Sequence, residues 1–156
     1  MLPIYLNDHL AGSTAALELV RRALRSNSQN EYGPPLARLA AEIEEDRKAL
    51  LAIMAGLGVG SDRAKLLAAW AAEKVGRLKL NGRLLGYSPL SRLMELEVLL
   101  LGVTGKLALW RALDQLGPQD PRLDRGELGR LMERAGGQLQ EIEELRERAV
   151  IDAFAE

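Results

Sequence analysis

Apolar residues recur at helical spacing along almost the whole chain, and clusters of Gly, Pro, Ser and Asn divide the pattern into five stretches. The first runs from about Tyr5 to Arg25 and ends in the turn-rich SNSQNEYGPP. The second carries Pro35 in its first turn, where a missing N–H costs nothing, and stops near Leu57 among Gly56, Gly58 and Gly60. A third, capped by Ser61 or Asp62, reaches about Gly82. Within GYSPLS, Ser88 is placed to cap and Pro89 to open a fourth helix that continues to Leu116. After the breaker GPQDP, the fifth spans roughly Arg122 to Phe154. No stretch has the alternation of a strand. Connections this short set consecutive helices side by side and antiparallel, so the expected fold is all-α, an up-and-down bundle of four or five helices in one domain over residues 1–156.

Composition sharpens this picture. The chain is 47% hydrophobic but only 4% aromatic, so its core must be built mainly of Leu and Ala, which suits closely packed helices. With 21 basic and 22 acidic residues the net charge is −1, which gives no global field for nucleic acid or an anionic membrane. There are no cysteines, which removes disulfides, thiolate metal ligands and thiol catalysis. The opening MLPIYLNDHL carries Asp8 and His9 where a signal peptide needs an apolar core, and the longest apolar run, Val98 to Val103, falls far short of the roughly 20 residues that span a bilayer. A soluble cytoplasmic protein with no membrane partner is expected. The fourth stretch, with LEVLLLGVTGKLALW, is apolar on most of its circumference, so it should be the central helix or face a second subunit. Self-association as a homodimer or larger assembly follows.

Candidate chemistry falls into three groups. A ferritin-like di-iron or di-manganese site needs Glu from two helices and Glu-x-x-His from two others. Glu42-x-x-Glu45 and Glu141-x-x-Glu144 have the spacing but carry Glu in place of the imidazole, and with Ile43 and Ile142 in mid-stripe Glu42 and Glu141 fall at the margin and Glu45 and Glu144 on the far side, so a solvated carboxylate face is the simpler reading. The second group is a candidate anion patch of Lys74, Arg77, Lys79 and Arg83, for which pairing with neighbouring acids such as Glu73 is the simpler reading, so nucleic-acid binding is not expected. Trp70 and Trp110 read as packing anchors.

The third group is a set of polar residues on core faces. On a wheel through Leu6, Ala16, Val20 and Ala23, the lone histidine, His9, points inward with Ser13 beside it. Asp46 and Arg47 flank the stripe of the second helix, Glu97 lies among Leu90, Leu93, Met94 and Leu101, and Gln138 and Arg146 flank Ile142. Buried polar groups must bond to one another, because an unpaired one costs on the order of 1–3 kcal/mol. Asp46, or an ordered water, is the expected partner of His9. Such a network can handle protons or a ligand, but more commonly it fixes helix register. No nucleophile motif accompanies His9.

YLNDHLAGSTAALELVRR, AEIEEDRKAL, AEKVGRLKLNGRLLGYSPLSRLMELE and LLLGVTGKLALWRAL together resemble a family of small bacterial helical proteins, over most of the chain up to about Leu116. That family is similar in architecture to the ferritin-like bundles. No activity comes with the resemblance, and the missing ligand histidines stop any metal chemistry being carried over, so it implies the fold alone. The expected function is a non-catalytic structural or interaction module with no cofactor; the alternative is a ferritin-like carboxylate metal protein.

Overall fold

The computed structural model describes residues 1–61 and 87–155. These form four helices: α1 Leu2–Asn27, α2 Gly33–Gly56, α3 Pro89–Leu116 and α4 Arg125–Phe154. The third helical stretch expected from sequence, with Trp70 and the candidate patch Lys74, Arg77, Lys79 and Arg83, lies outside the described residues. Among the described residues there is no strand, and no helix is long and apolar enough to cross a membrane.

Local chemistry explains the helix ends. Ser88 Oγ accepts from the Ser91 N–H at 3.1 Å, which satisfies one of the orphan donors at the start of α3. α4 begins at Arg125, three residues later than expected, because Asp124 Oδ1 accepts from the N–H groups of Gly126 at 2.8 Å and Glu127 at 3.1 Å. Beyond α2, Gly58 takes the left-handed conformation at φ 72°, and the Val59 N–H reaches back to the Met54 carbonyl at 2.8 Å, a Schellman closure. A side chain at Gly58 would be strained. Gly33 has a different constraint, since a Cβ there would sit 2.9 Å from the Asn27 carbonyl oxygen.

Cross-helix contacts fix the directions. Arg21 meets Glu44 at 3.0 Å and Arg47 meets Thr14 at 3.2 Å, so α1 and α2 are antiparallel. Arg22 meets Glu95 at 2.7 Å while Gly102 faces Ala16, so α1 and α3 are antiparallel as well. Asp114 meets Arg125 at 2.9 Å and Asp152 meets Arg92 at 2.7 Å, which makes α3 and α4 an antiparallel hairpin. The two hairpins pack into a four-helix bundle, in which α2 approaches α4 largely through long polar side chains. Near Ser61 the chain lies by the start of α1, where the Gly60 carbonyl accepts from Asn7 at 3.0 Å. At Tyr87 it lies by the end of α1, in contact with Asn27. Those two places are about 30 Å apart along α1.

The core is leucine-rich, as composition requires: Leu6, Leu36, Leu39 and Leu113 are wholly inaccessible, and Trp110 and Tyr32 are the largest fully buried side chains. α3 turns Leu93, Leu96, Leu99, Val103, Trp110 and Leu113 inward.

Candidate functional site

Asp46 sits near the middle of α2 and is 2% exposed. An isolated carboxylate there would be prohibitively costly, so its partners decide what the site is. Lys106 of α3 and Gln138 of α4 both donate to Oδ2, the glutamine at 3.2 Å. Arg134 of α4 donates to Oδ1 at 2.7 Å. Gln138 is itself buried; its amide nitrogen also reaches Glu42 at 2.9 Å, and its amide oxygen accepts from Lys106. Arg134 extends the cluster to Glu45 at 3.0 Å. Burial pushes the Lys106 ammonium below its usual value, and the Asp46 carboxylate pulls it back up. The result is a polar layer across three helices in which the interior carboxylate is neutralised by the chain's own cations.

A second cluster closes the end of the bundle where α1 finishes and α3 begins. Glu95, buried on α3, accepts from Arg22 at 2.7 Å on one oxygen and from the Tyr87 hydroxyl at 2.8 Å on the other. Asn27 donates to the Tyr87 oxygen at 2.8 Å, and its side-chain oxygen accepts from Arg92 at 2.8 Å. Arg92 also lies 4.1 Å over the Tyr32 ring and reaches Asp152, on which the Tyr32 hydroxyl converges at 2.8 Å. Burial, reinforced by Glu95, holds the Tyr87 hydroxyl well above the usual phenol range, so it stays protonated as a donor.

Of the residues expected to form the inner polar network, Asp46 and Gln138 meet. Arg47 reaches Thr14, one residue from Ser13, whose own hydroxyl turns back to the Leu10 carbonyl at 2.7 Å. His9, expected deep inside against Asp46, is half-buried instead, its ring edge-on to Tyr5 at 4.6 Å. Leu6, Val20 and Ala23 of the stripe drawn through His9 are buried, together with Leu10 and Leu17. Arg146 pairs with Glu143 at 2.6 Å on its own helix. Glu97 is exposed, and of the residues it was grouped with only Leu93 is buried. α3 carries apolar residues on two faces, and the bulkier set, with Trp110, went inward.

Lys106 and Glu95 are among the residues sequence reasoning missed, yet both carry a signal. Lys106 lies seven residues after Leu99 and seven before Leu113, and Glu95 four before Leu99, so both share the buried face of α3. Asn27 and Tyr32 are less legible, since Asn in a loop reads as turn chemistry.

The arrangement does not fit a carboxylate-bridged metal. The interior acids Glu42 and Asp46 come from one helix, and the third, Glu95, stands apart at the bundle end. The cations Lys106 and Arg134 already occupy the inner lone pairs. Among the described residues no group of three or more His, Asp or Glu side chains could hold a metal ion. Comparison of the chain with family models, with curated proteins and with solved structures finds no match.

His9 gives a pH prediction. Burial lowers its pKa below the ordinary imidazole value of about 6.5, with Asp8 opposing. A depressed folded value means the unfolded chain binds the proton more readily, so this contribution to stability is complete above about pH 6.5 and is lost as pH falls through the folded value. Denaturant unfolding at about pH 7.5 and about pH 5.5 should show a drop that His9→Gln reduces. A drop of the same size in the variant would assign it to other groups. At neutral pH His9→Ala should cost less than about 1 kcal/mol, the worth of one edge contact to a partly exposed ring.

Proposed function

We propose that the chain is a non-catalytic, cytoplasmic helical-bundle module that self-associates, with its polar interior serving to fix helix register. The observation that carries this reading is the saturation of the interior: both oxygens of Asp46 and both of Glu95 are taken by side chains of the same chain. Chemistry needs a group free to meet a substrate, and a saturated network supplies orientation instead. A ferritin-like bundle is the architectural part of the proposal. It is supported by antiparallel neighbours and by the placing of Gly60 and Tyr87 at opposite ends of α1. Self-association is supported by large apolar side chains left on the outer faces of α3 and α4, with Leu101 72%, Ile151 66% and Phe154 65% exposed. The test is the mass by light scattering at micromolar concentration. A mass of at least twice 17.1 kDa is expected, and a monomer would overturn the reading.

A further inference from the structure

The outer face of α3 carries a second stripe with the spacing of a helix seam. Leu90, Met94, Glu97, Leu101, Thr104, Ala108, Arg111 and Gln115 follow one another at alternating steps of four and three, and all but the partly exposed Met94 are exposed. That spacing places them on one line along the helix, as in the a and d positions of a coiled coil. We propose that this stripe is the contact between two copies of the chain, paired antiparallel about a twofold axis that passes between Leu101 and Thr104. The inference rests on the self-association reading and adds the face and the orientation.

Charge and shape argue for a second copy in this orientation. Glu97 and Arg111 form no hydrogen bond or close ion pair among the described residues, although Arg146 of α4 lies near enough to Glu97 to feel its charge. An axis between Leu101 and Thr104 sets Leu101 of one copy against Thr104 of the other, and Glu97 against Ala108. Arg111 is then one helical turn, about 5 Å, from the glutamate, within reach of a long side chain. A twofold axis makes that complementary pair twice. A parallel pairing in register would instead set Glu97 against Glu97 and Arg111 against Arg111. The Thr104 hydroxyl already donates to the Leu100 carbonyl at 2.8 Å, so covering it strands no polar group. Next to it, a Cβ on Gly105 would meet nothing within 4 Å among the described residues, which leaves the middle of the seam open for a close approach.

Because the chain has no cysteine, single-cysteine variants report the geometry directly. Antiparallel pairing brings the two Thr104→Cys residues together beside the axis and holds the two Leu90→Cys residues about 38 Å apart. Mild oxidation should therefore cross-link Thr104→Cys and leave Leu90→Cys uncross-linked. Cross-linking of both would mean parallel pairing and overturn the orientation. An assembly that forms with neither cross-linked would overturn the face while leaving self-association standing, and a monomeric parent chain would overturn both. As a second measurement, Glu97→Arg should raise the dissociation constant by at least about tenfold, and adding Arg111→Glu should restore it. No effect of Glu97→Arg would count against the seam. Circular dichroism on each variant confirms that these surface changes leave the bundle folded.

Discussion

Asp46→Ala is expected to lower the free energy of unfolding by about 3–5 kcal/mol, the cost of leaving a buried charge without its partner. The change removes the acceptor for Lys106, Arg134 and part of the Gln138 amide at once. The ammonium is the group that suffers, because its side chain is only 13% exposed and burial already works against its charge. Converting the pair to apolar residues, as in Asp46→Leu with Lys106→Met, should recover most of the loss, since a buried ion pair and a well-packed apolar pair are often close in stability. Equilibrium unfolding in urea measures both. A loss under about 1 kcal/mol for Asp46→Ala would mean that water reaches the site and that the layer is not a register device.

The second large effect is expected at Trp110. It is 1% exposed and faces inward from α3, so Trp110→Ala should cost about 3–5 kcal/mol by leaving a cavity that a rigid bundle cannot collapse. Trp110→Phe separates packing from hydrogen bonding. The indole Nε1 has no hydrogen-bond partner among the described residues, so the phenyl ring strands nothing there and should cost under about 2 kcal/mol. Similar losses for both variants would show that the indole nitrogen has a partner after all.

The helices were legible because α1, α2, α3 and α4 each carry a strong apolar period with Gly or Pro punctuation, and Ser88 announces the start of α3. Which face of a helix turns inward was less legible. α3 has two apolar faces, and the sequence does not rank Leu90, Met94 and Leu101 below Leu96, Leu99 and Trp110 until the other helices arrive. That ambiguity put Glu97 inside and left Glu95 unnoticed two residues away. On α1, Leu6, Val20 and Ala23 of the stripe drawn through His9 are buried, together with Leu10 and Leu17, yet His9 itself is only half-buried. Asp46 and Gln138 stood out as polar residues beside unambiguous stripes. Their partners Lys106 and Arg134 did not, because long cations ordinarily reach solvent and only tertiary placement shows which of them bend inward.

The claim that the interior is occupied by the chain's own charges is tested most directly by counting metal. Protein incubated with ferrous iron or manganese and then desalted should retain less than about 0.1 ion per chain, because a divalent ion would have to expel the Lys106 ammonium from Asp46 and assemble its ligands from one helix. One or two tightly held ions per chain, lost on Glu42→Gln, would contradict the account and make the polar layer a metal centre.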